Sequence, residues 1–87
     1  MGKYHYVYVL RSQNERKFHV GYTTNLQKRL EEHSSGQVRS TKQRRPMNLI
    51  YWEGCINQQD ATRREKYLKS AWGKRYAKAR VRTYLTG

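Results

Sequence analysis

The sequence has few of the residues that staple small proteins or anchor them in membranes. Its 87 residues include one cysteine, Cys55, which excludes an intramolecular disulfide and a cysteine-based zinc cluster. No run approaches the roughly 20 apolar residues of a membrane span. The N-terminus passes from Met1 into a mixed aromatic stretch without the hydrophobic region of a signal peptide. We therefore expect a soluble, cytoplasmic protein that is stabilised by packing alone.

Acidic residues are the second scarce class. Six Asp and Glu stand against 19 Lys and Arg, which gives a formal net charge of +13. Hydrophobic residues still make up 36% of the chain and aromatic residues 13%, enough for one folded domain over 1–87. The excess charge indicates a polyanionic partner, because cations that contact a phosphate backbone release its condensed counterions. We expect a monomer that binds nucleic acid, with DNA the preferred class, and no membrane partner.

The cations concentrate in two segments. One lies around 39–45, in a stretch whose serine, glycine and proline residues predict a loop. The other is the C-terminal third, which includes a basic, partly helical segment over 73–87. The candidate nucleic-acid-binding residues are Arg39, Lys42, Arg44, Arg45, Arg63, Lys69, Lys74 and Arg75.

Three short segments have the composition of strands. Residues 5–11 are apolar at both alternating sets of positions, as expected of a central strand covered on both faces. Turn-forming residues separate this run from 17–22, so the two predict an antiparallel hairpin. A third strand is predicted over 48–52, with a turn at Gly54 and with Trp52 in the core.

Helices are predicted between and after these strands. Thr24 or Asn25 can cap a helix that runs to about His33. A second helix is predicted from about 57–60 to Trp72, with Trp72 in the core, and Gly73 is expected to end it before a short helix over 74–81. The predicted order is β-β-α-β-α, with a possible last helix. We expect an α+β fold in which a three-stranded antiparallel sheet is flanked by helices.

Two charged residues lie within the apolar stripes of these helices. Arg29 shares a stripe with Leu26 and Leu30, and Glu65 lies between Ala61 and Leu68. Unpaired burial of a charge is costly. Both stripes could end at the domain edge, the two charges could form an internal ion pair, or both helices could line a cleft that handles phosphate and metal.

The types of side chain favour the third interpretation. An arginine (Arg29) can neutralise charge on phosphate oxygens, and a carboxylate (Glu65) can hold a divalent ion. A phenol on the central strand (Tyr8) or an imidazole (His33) can activate water. No nucleophilic triad or phosphate-binding glycine motif competes with this set.

At these residues the chain resembles the GIY-YIG endonuclease superfamily, in particular its small stand-alone bacterial members. Tyr6-Val7-Tyr8 matches the first half-motif and His19-Val20-Gly21 the second. The segment YTTNLQKRLEEH resembles the family's arginine helix, and RRPMNLIYWEG followed by TRREKYLKS resembles its third strand and glutamate helix. The resemblance covers about residues 4–70.

The resemblance implies a role for each matching residue. Tyr8 would act near the attacking water as a general base or an orienting group, and Arg29 would stabilise the transition state. Glu65 would bind one Mg²⁺ or Mn²⁺ ion. His33 would be an auxiliary proton-transfer group, and His19 occupies the position of the second motif tyrosine. The implied activity is hydrolysis of DNA phosphodiester bonds, directed by structure or strand and linked to repair or recombination.

Two departures from the family pattern keep other functions open. His19 replaces a phenol by an imidazole, and Ala77 stands about where many members carry an asparagine. The chain could therefore be a nucleic-acid-binding module of the same fold with weakened catalysis. It could also be a basic adaptor in a nuclease complex, with a partner protein supplying specificity.

Overall fold

A computed structural model describes residues 4–86 and shows a three-stranded antiparallel sheet with the strand order β2-β1-β3. The elements are β1 (His5–Ser12), β2 (Phe18–Thr23), α1 (Leu26–Ser34), α2 (Arg39–Lys42), β3 (Met47–Cys55), α3 (Gln58–Lys69), α4 (Ala71–Arg80) and α5 (Arg82–Thr86). The predicted α+β class, the β-β-α-β-α order and the central position of β1 are confirmed. No helix within residues 4–86 is long and apolar enough to cross a membrane.

Both faces of β1 are covered, by different helices. Val7 and Val9 pack against Leu68 of α3 and Ala77 of α4, and all four side chains are buried. Tyr8 points to the opposite face, where it meets α1. Because successive residues of a strand face opposite sides, β1 places its valines in one core and its tyrosine hydroxyl beneath α1.

A bulge in β3 changes which residues face each side. Val9 pairs with Tyr51, whereas the next residue of β1, Leu10, pairs with Leu49. Ile50 is the extra residue, and both Ile50 and Tyr51 pack against the α3–α4 core. The bulge therefore supplies two consecutive side chains to one core and leaves Leu49 and Trp52 on the α1 face.

The predicted starts of α1 and α3 are confirmed, whereas the predicted end of α3 is wrong. Asn25 caps α1, and its side chain accepts a hydrogen bond from Lys28 N at 3.1 Å. Helix α3 ends at Lys69, and Ser70 separates it from α4, in which Gly73 lies buried. Gly73 therefore does not break a helix. Ser70 does so, and its hydroxyl caps α4 by accepting from Gly73 N at 3.1 Å.

Three further expectations are corrected. Gly54 lies inside β3 opposite Tyr6 and forms no turn. The basic segment contains α2, whose Thr41 is fully buried, where a loop was expected. Neither tryptophan is in the core, since Trp52 is 51% exposed and Trp72 is 70% exposed. Trp72 lies on α4, so it never extends the apolar stripe of α3.

Gly73 marks a close approach between α3 and α4 that tolerates no side chain. A β-carbon at this position would overlap the Tyr67 carbonyl and the Leu68 backbone. We expect Gly73→Ala to lower the free energy of unfolding by about 1–3 kcal/mol, although alanine is the better helix former. Gly54→Ala is the control, because a β-carbon there meets its nearest atom at 3.5 Å, an ordinary contact. Urea titrations of both variants check this, and equal stability would contradict the packing described here.

Candidate active site

The Tyr8 side chain crosses the hairpin and occupies the space that a side chain at Gly21 would need. The two residues are direct partners in the β1–β2 register. A β-carbon at Gly21 would overlap the Tyr8 hydroxyl. This explains the glycine at this point of the second half-motif: the hydroxyl end of the Tyr8 ring fills the space beside it.

A buried chain of hydrogen bonds links Tyr8 to α1 and α2. The Tyr8 hydroxyl lies 2.9 Å from His33 Nε2, and His33 Nδ1 lies 2.8 Å from Thr41 Oγ1. The Thr41 hydroxyl in turn donates to the Val38 carbonyl oxygen at 3.5 Å. In the tautomer that agrees with this, His33 Nδ1–H donates to Thr41 and Nε2 accepts from Tyr8. His33, predicted on α1, is therefore fixed at both ring nitrogens.

Burial keeps the imidazole of this chain neutral. The pKa of His33 is lowered to about 4, mainly because burial disfavours the charged ring and further because a proton on His19 and the positive charge of Arg29 repel a second charge there. Burial also raises the pKa of Tyr8, and the Arg29 guanidinium partly opposes that shift. At neutral pH the hydrogen-bonded chain therefore contains a protonated phenol at Tyr8 and an uncharged imidazole at His33.

His19 lies next to His33 on the same face of the sheet. The two rings are 5.2 Å apart between centroids and meet edge to face. Burial lowers the pKa of His19, and the positive charges of Arg44, Lys69 and Arg29 lower it further. A half-buried imidazole that is neutral at physiological pH can accept a proton.

Arg29 and Glu65 do not pair with each other. Arg29 Nη1 lies 2.8 Å from Glu32 Oε1 on α1, and its side chain is 38% exposed. Glu65 Oε2 lies 3.1 Å from Lys69 Nζ on α3, and the Glu65 side chain is 24% exposed. The alternative of an internal ion pair between Arg29 and Glu65 is therefore wrong. Both apolar stripes end at the domain edge, and both charges reach solvent.

The two charges border separate open depressions. Arg29 lines one together with Tyr22, Lys28 and Glu32, and Glu65 lines the other together with Lys69 and their α3 neighbours. Both charges nevertheless act on the Tyr8 hydroxyl: the positive charge of Arg29 lowers the pKa of Tyr8, and the negative charge of Glu65 raises it. The structure thus brings Tyr8, His19 and His33 into contact, with Arg29 and Glu65 at the edges.

Two cations of the 39–45 segment have internal partners. Arg44 Nε donates to Glu15 Oε1 at 3.0 Å. Arg45 donates to the carbonyl oxygens of Ser34 and Lys42 at 3.2 and 3.1 Å. Its side chain therefore caps the C-terminal ends of both α1 and α2. Arg39 and Lys42 lie exposed on α2. Since Thr41 of the same helix contacts His33, the whole segment flanks the candidate site.

The C-terminal cations are spread along α3 and α4. Lys69 pairs with Glu65, and Arg63 lies 3.6 Å from Asp60 as an exposed pair. Lys74 and Arg75 lie exposed on α4, and the Arg75 guanidinium stacks on the Trp72 ring at 4.9 Å. Surface pairs of this kind are worth about 0–1 kcal/mol, so they leave the cations free to exchange partners.

Glu65 is suited to hold a hard cation with few protein ligands. Within residues 4–86 no cluster of three or more His, Cys, Asp or Glu side chains is placed to bind a metal. Mg²⁺ does not need one, because it keeps several waters and is commonly held by one or two carboxylates and substrate phosphates. The Glu65 carboxylate borders an open depression and supplies such an oxygen ligand.

Comparison with known proteins decides the family. The GIY-YIG catalytic domain family matches residues 4–78. The chain belongs to the GIY-YIG family. This places it in a nuclease superfamily.

Relatives of this GIY-YIG domain carry the name UPF0213. The chain is 46% identical over 65 residues to a UPF0213 protein of Pediococcus pentosaceus, covering 74% of this chain and 67% of the relative. It is 38% identical over 65 residues to one of Clostridium perfringens, covering 74% and 69%. The solution NMR structure of a UPF0213 protein from Bacillus halodurans superimposes with a TM-score of 0.53 at 30% identity, over 84% of this chain and 80% of that one.

Two participants in the site were not predicted from the sequence. Thr41 lies in a four-residue helix, too short for a periodic pattern, and its burial depends on the position of α1. Glu32 lies three residues after Arg29, and that spacing on a helix could have identified it as the arginine's partner.

Proposed function

We propose that this protein is a metal-dependent endonuclease that hydrolyses phosphodiester bonds of DNA. The proposal is carried by one observation: the buried Tyr8 hydroxyl donates to neutral His33, beside the charge of Arg29 and next to a second neutral imidazole, His19. A phenol, two uncharged imidazoles, a guanidinium and a carboxylate supply what attack of water on a phosphodiester needs.

Tyr8 orients the attacking water. Its raised pKa keeps it protonated, and because its proton points to His33 Nε2, its oxygen is left as a hydrogen-bond acceptor. His19 takes the proton of that water as its oxygen bonds to phosphorus, and the bond from phosphorus to the leaving oxygen breaks. The lowered pKa of His19 suits this role, since the ring is unprotonated before the reaction.

Arg29 stabilises the negative charge that grows on the phosphoryl oxygens. Its side chain is 38% exposed at the edge of α1, where a phosphate can approach it. The pairing with Glu32 holds the guanidinium in position. Opening such a pair on a helix surface costs only about 0.2–0.5 kcal/mol, less than the contribution of a hydrogen bond to a charged phosphate.

Glu65 would hold the divalent ion. Its pairing with Lys69 is an exposed i,i+4 pair of the same low strength, so a cation can displace the ammonium. The bound ion supplies polarisation of the scissile phosphate and stabilises the leaving oxygen. Lys69 would then be released to contact the phosphate backbone.

A cleavage assay tests the proposal. Flap, branched, single-stranded and duplex DNA are incubated with the protein and Mg²⁺, Mn²⁺ or EDTA, and the same substrates are used for binding measurements. We expect incision of at least one structured or single-stranded substrate with Mg²⁺ or Mn²⁺ and none with EDTA. Binding of these DNAs without cleavage under any of the metal conditions would contradict the proposed activity.

The second candidate is a DNA-binding module whose catalysis is weak or lost. It is favoured by one observation: both key charges are already neutralised locally, Arg29 by Glu32 and Glu65 by Lys69. The same assay separates the two functions. A binding module would bind every substrate with a steep salt dependence, cleave none of them, and bind equally well after Glu65→Ala.

A further inference from the structure

Trp52 is exposed on the face of the sheet that carries Tyr8. The two residues are direct partners across the β1–β3 register, so their side chains lie on the same face. Half of the indole is nevertheless open to solvent, at 51% exposure. A large exposed aromatic ring next to a candidate active site is available to stack on a ligand.

The exposed indole forms one wall of an aromatic groove. Tyr6 and Trp52 line the sheet side of this groove, and Leu30 and Gln27 line its α1 side. The Tyr6 and Trp52 rings meet edge to face at 5.7 Å between centroids. The groove is open to solvent and has a volume of about 530 Å³.

This aromatic groove adjoins the depression that contains Arg29. Thr24 and Asn25, at the start of α1, line both of them. Lys28 and Arg29 line the second depression. A ligand with a flat apolar ring at one end and a phosphate at the other could therefore place the ring on Trp52 and the phosphate beside Arg29.

We propose that the aromatic groove binds an unpaired nucleobase of a DNA strand whose adjacent phosphate contacts Arg29. Stacking of a base on an exposed aromatic ring within a cationic surface is the usual means of binding single strands. The Gln27 carboxamide, exposed on α1, can donate to and accept from the edge of the base. Only the position of the phosphate rests on the proposed nuclease function; base binding does not require cleavage.

Charge and polarity favour this occupant over an apolar peptide or a second copy of the chain. The protein carries a net charge of +13, which opposes self-association. Hydroxyl and amide side chains at Thr24, Asn25 and Gln27 border the groove, whereas a groove for a helix would be apolar throughout. A base in a single strand presents both a flat ring and a neighbouring negative charge.

The test compares Trp52→Leu with Trp72→Leu. Trp72 is the matched control, because it is an exposed tryptophan on α4, across the sheet from the groove. Fluorescence anisotropy measures affinity for oligothymidylate of about 12 nucleotides and for an abasic strand of equal length, which keeps the phosphates and lacks the bases. We expect Trp52→Leu to weaken oligothymidylate binding roughly tenfold or more and to leave abasic-strand binding unchanged. Trp72→Leu should retain wild-type affinity for both.

A second measurement covers the case in which Trp52→Leu does not fold. In Trp72→Phe, Trp52 is the sole tryptophan, so quenching of its fluorescence by oligothymidylate but not by the abasic strand reports stacking directly. Unchanged fluorescence, an equal loss in Trp52→Leu and Trp72→Leu, or a loss that also affects the abasic strand would overturn the proposal. A change of oligomeric state in sedimentation with unchanged oligonucleotide binding would assign the groove to self-association. Because these are binding readouts, they stay informative if no DNA is cleaved.

Discussion

Glu65→Gln should reduce metal-dependent DNA cleavage by more than about 100-fold, because even the loss of an outer-shell partner of a metal ligand costs 10–100-fold. The substitution keeps the size and hydrogen-bonding capacity of the side chain but removes the charge that would hold the divalent ion. It also frees Lys69 from its 3.1 Å pair, so DNA binding should be retained or slightly tightened. Single-turnover cleavage and anisotropy measured on the same substrate separate the two effects.

Glu31→Gln is the matched control for this substitution. Glu31 lies exposed on α1, and its replacement changes the net charge by the same amount. The control should cleave at the wild-type rate. If both variants retain full activity, Glu65 has no part in catalysis. If both lose activity equally, the effect comes from net charge and not from a metal ligand.

Acid should destabilise the protein through His33. Its pKa is about 4 in the folded protein and near 6.5 when unfolded, so the unfolded chain binds more protons between these values. The stability that neutral His33 contributes is fully present above pH 6.5 and is lost as the pH falls toward 4. The expected loss is about 3 kcal/mol between pH 7 and pH 4. Urea titrations across this range measure it.

Comparison with His33→Gln isolates the contribution of this ring. Glutamine keeps a polar side chain between Tyr8 and Thr41 but does not titrate. Between pH 7 and pH 4 the free energy of unfolding of the variant should therefore fall by about 3 kcal/mol less than that of the wild-type protein. Carboxylates such as Glu53, whose pKa is lowered mainly by Arg64, contribute equally to both curves and cancel. Parallel curves for the two proteins would show that His33 is not held neutral by burial.

The parts of the fold that follow local rules could be predicted. The two-sided apolar pattern of 5–11 predicted the central strand, and a capping residue predicted the start of α1 at Asn25. The prediction failed at 70–73, where Gly73 was interpreted as a helix breaker. Glycine is needed there because α4 packs against the end of α3, and only the tertiary contact reveals that reason.

The candidate site was predicted as a set of side-chain types, not as a geometry. Hydrolysis of a phosphodiester requires certain types of side chain, and this requirement allowed the selection of Tyr8, Arg29, His33 and Glu65. The bond from His33 to Thr41 could not, since it depends on how a four-residue helix packs. Trp52 was assigned to the core because tryptophans usually pack there, and its exposure depends on α1 leaving a groove beside β3.

The single-turnover cleavage rate of Tyr8→Phe tests the central claim most directly. This substitution removes one oxygen atom, the one that lies 2.9 Å from His33 Nε2, and keeps the ring that packs over Gly21. We predict that DNA binding is retained and that the cleavage rate falls by about 100-fold, the typical cost when a reacting group is no longer held in position. Cleavage by Tyr8→Phe at the wild-type rate would contradict the account.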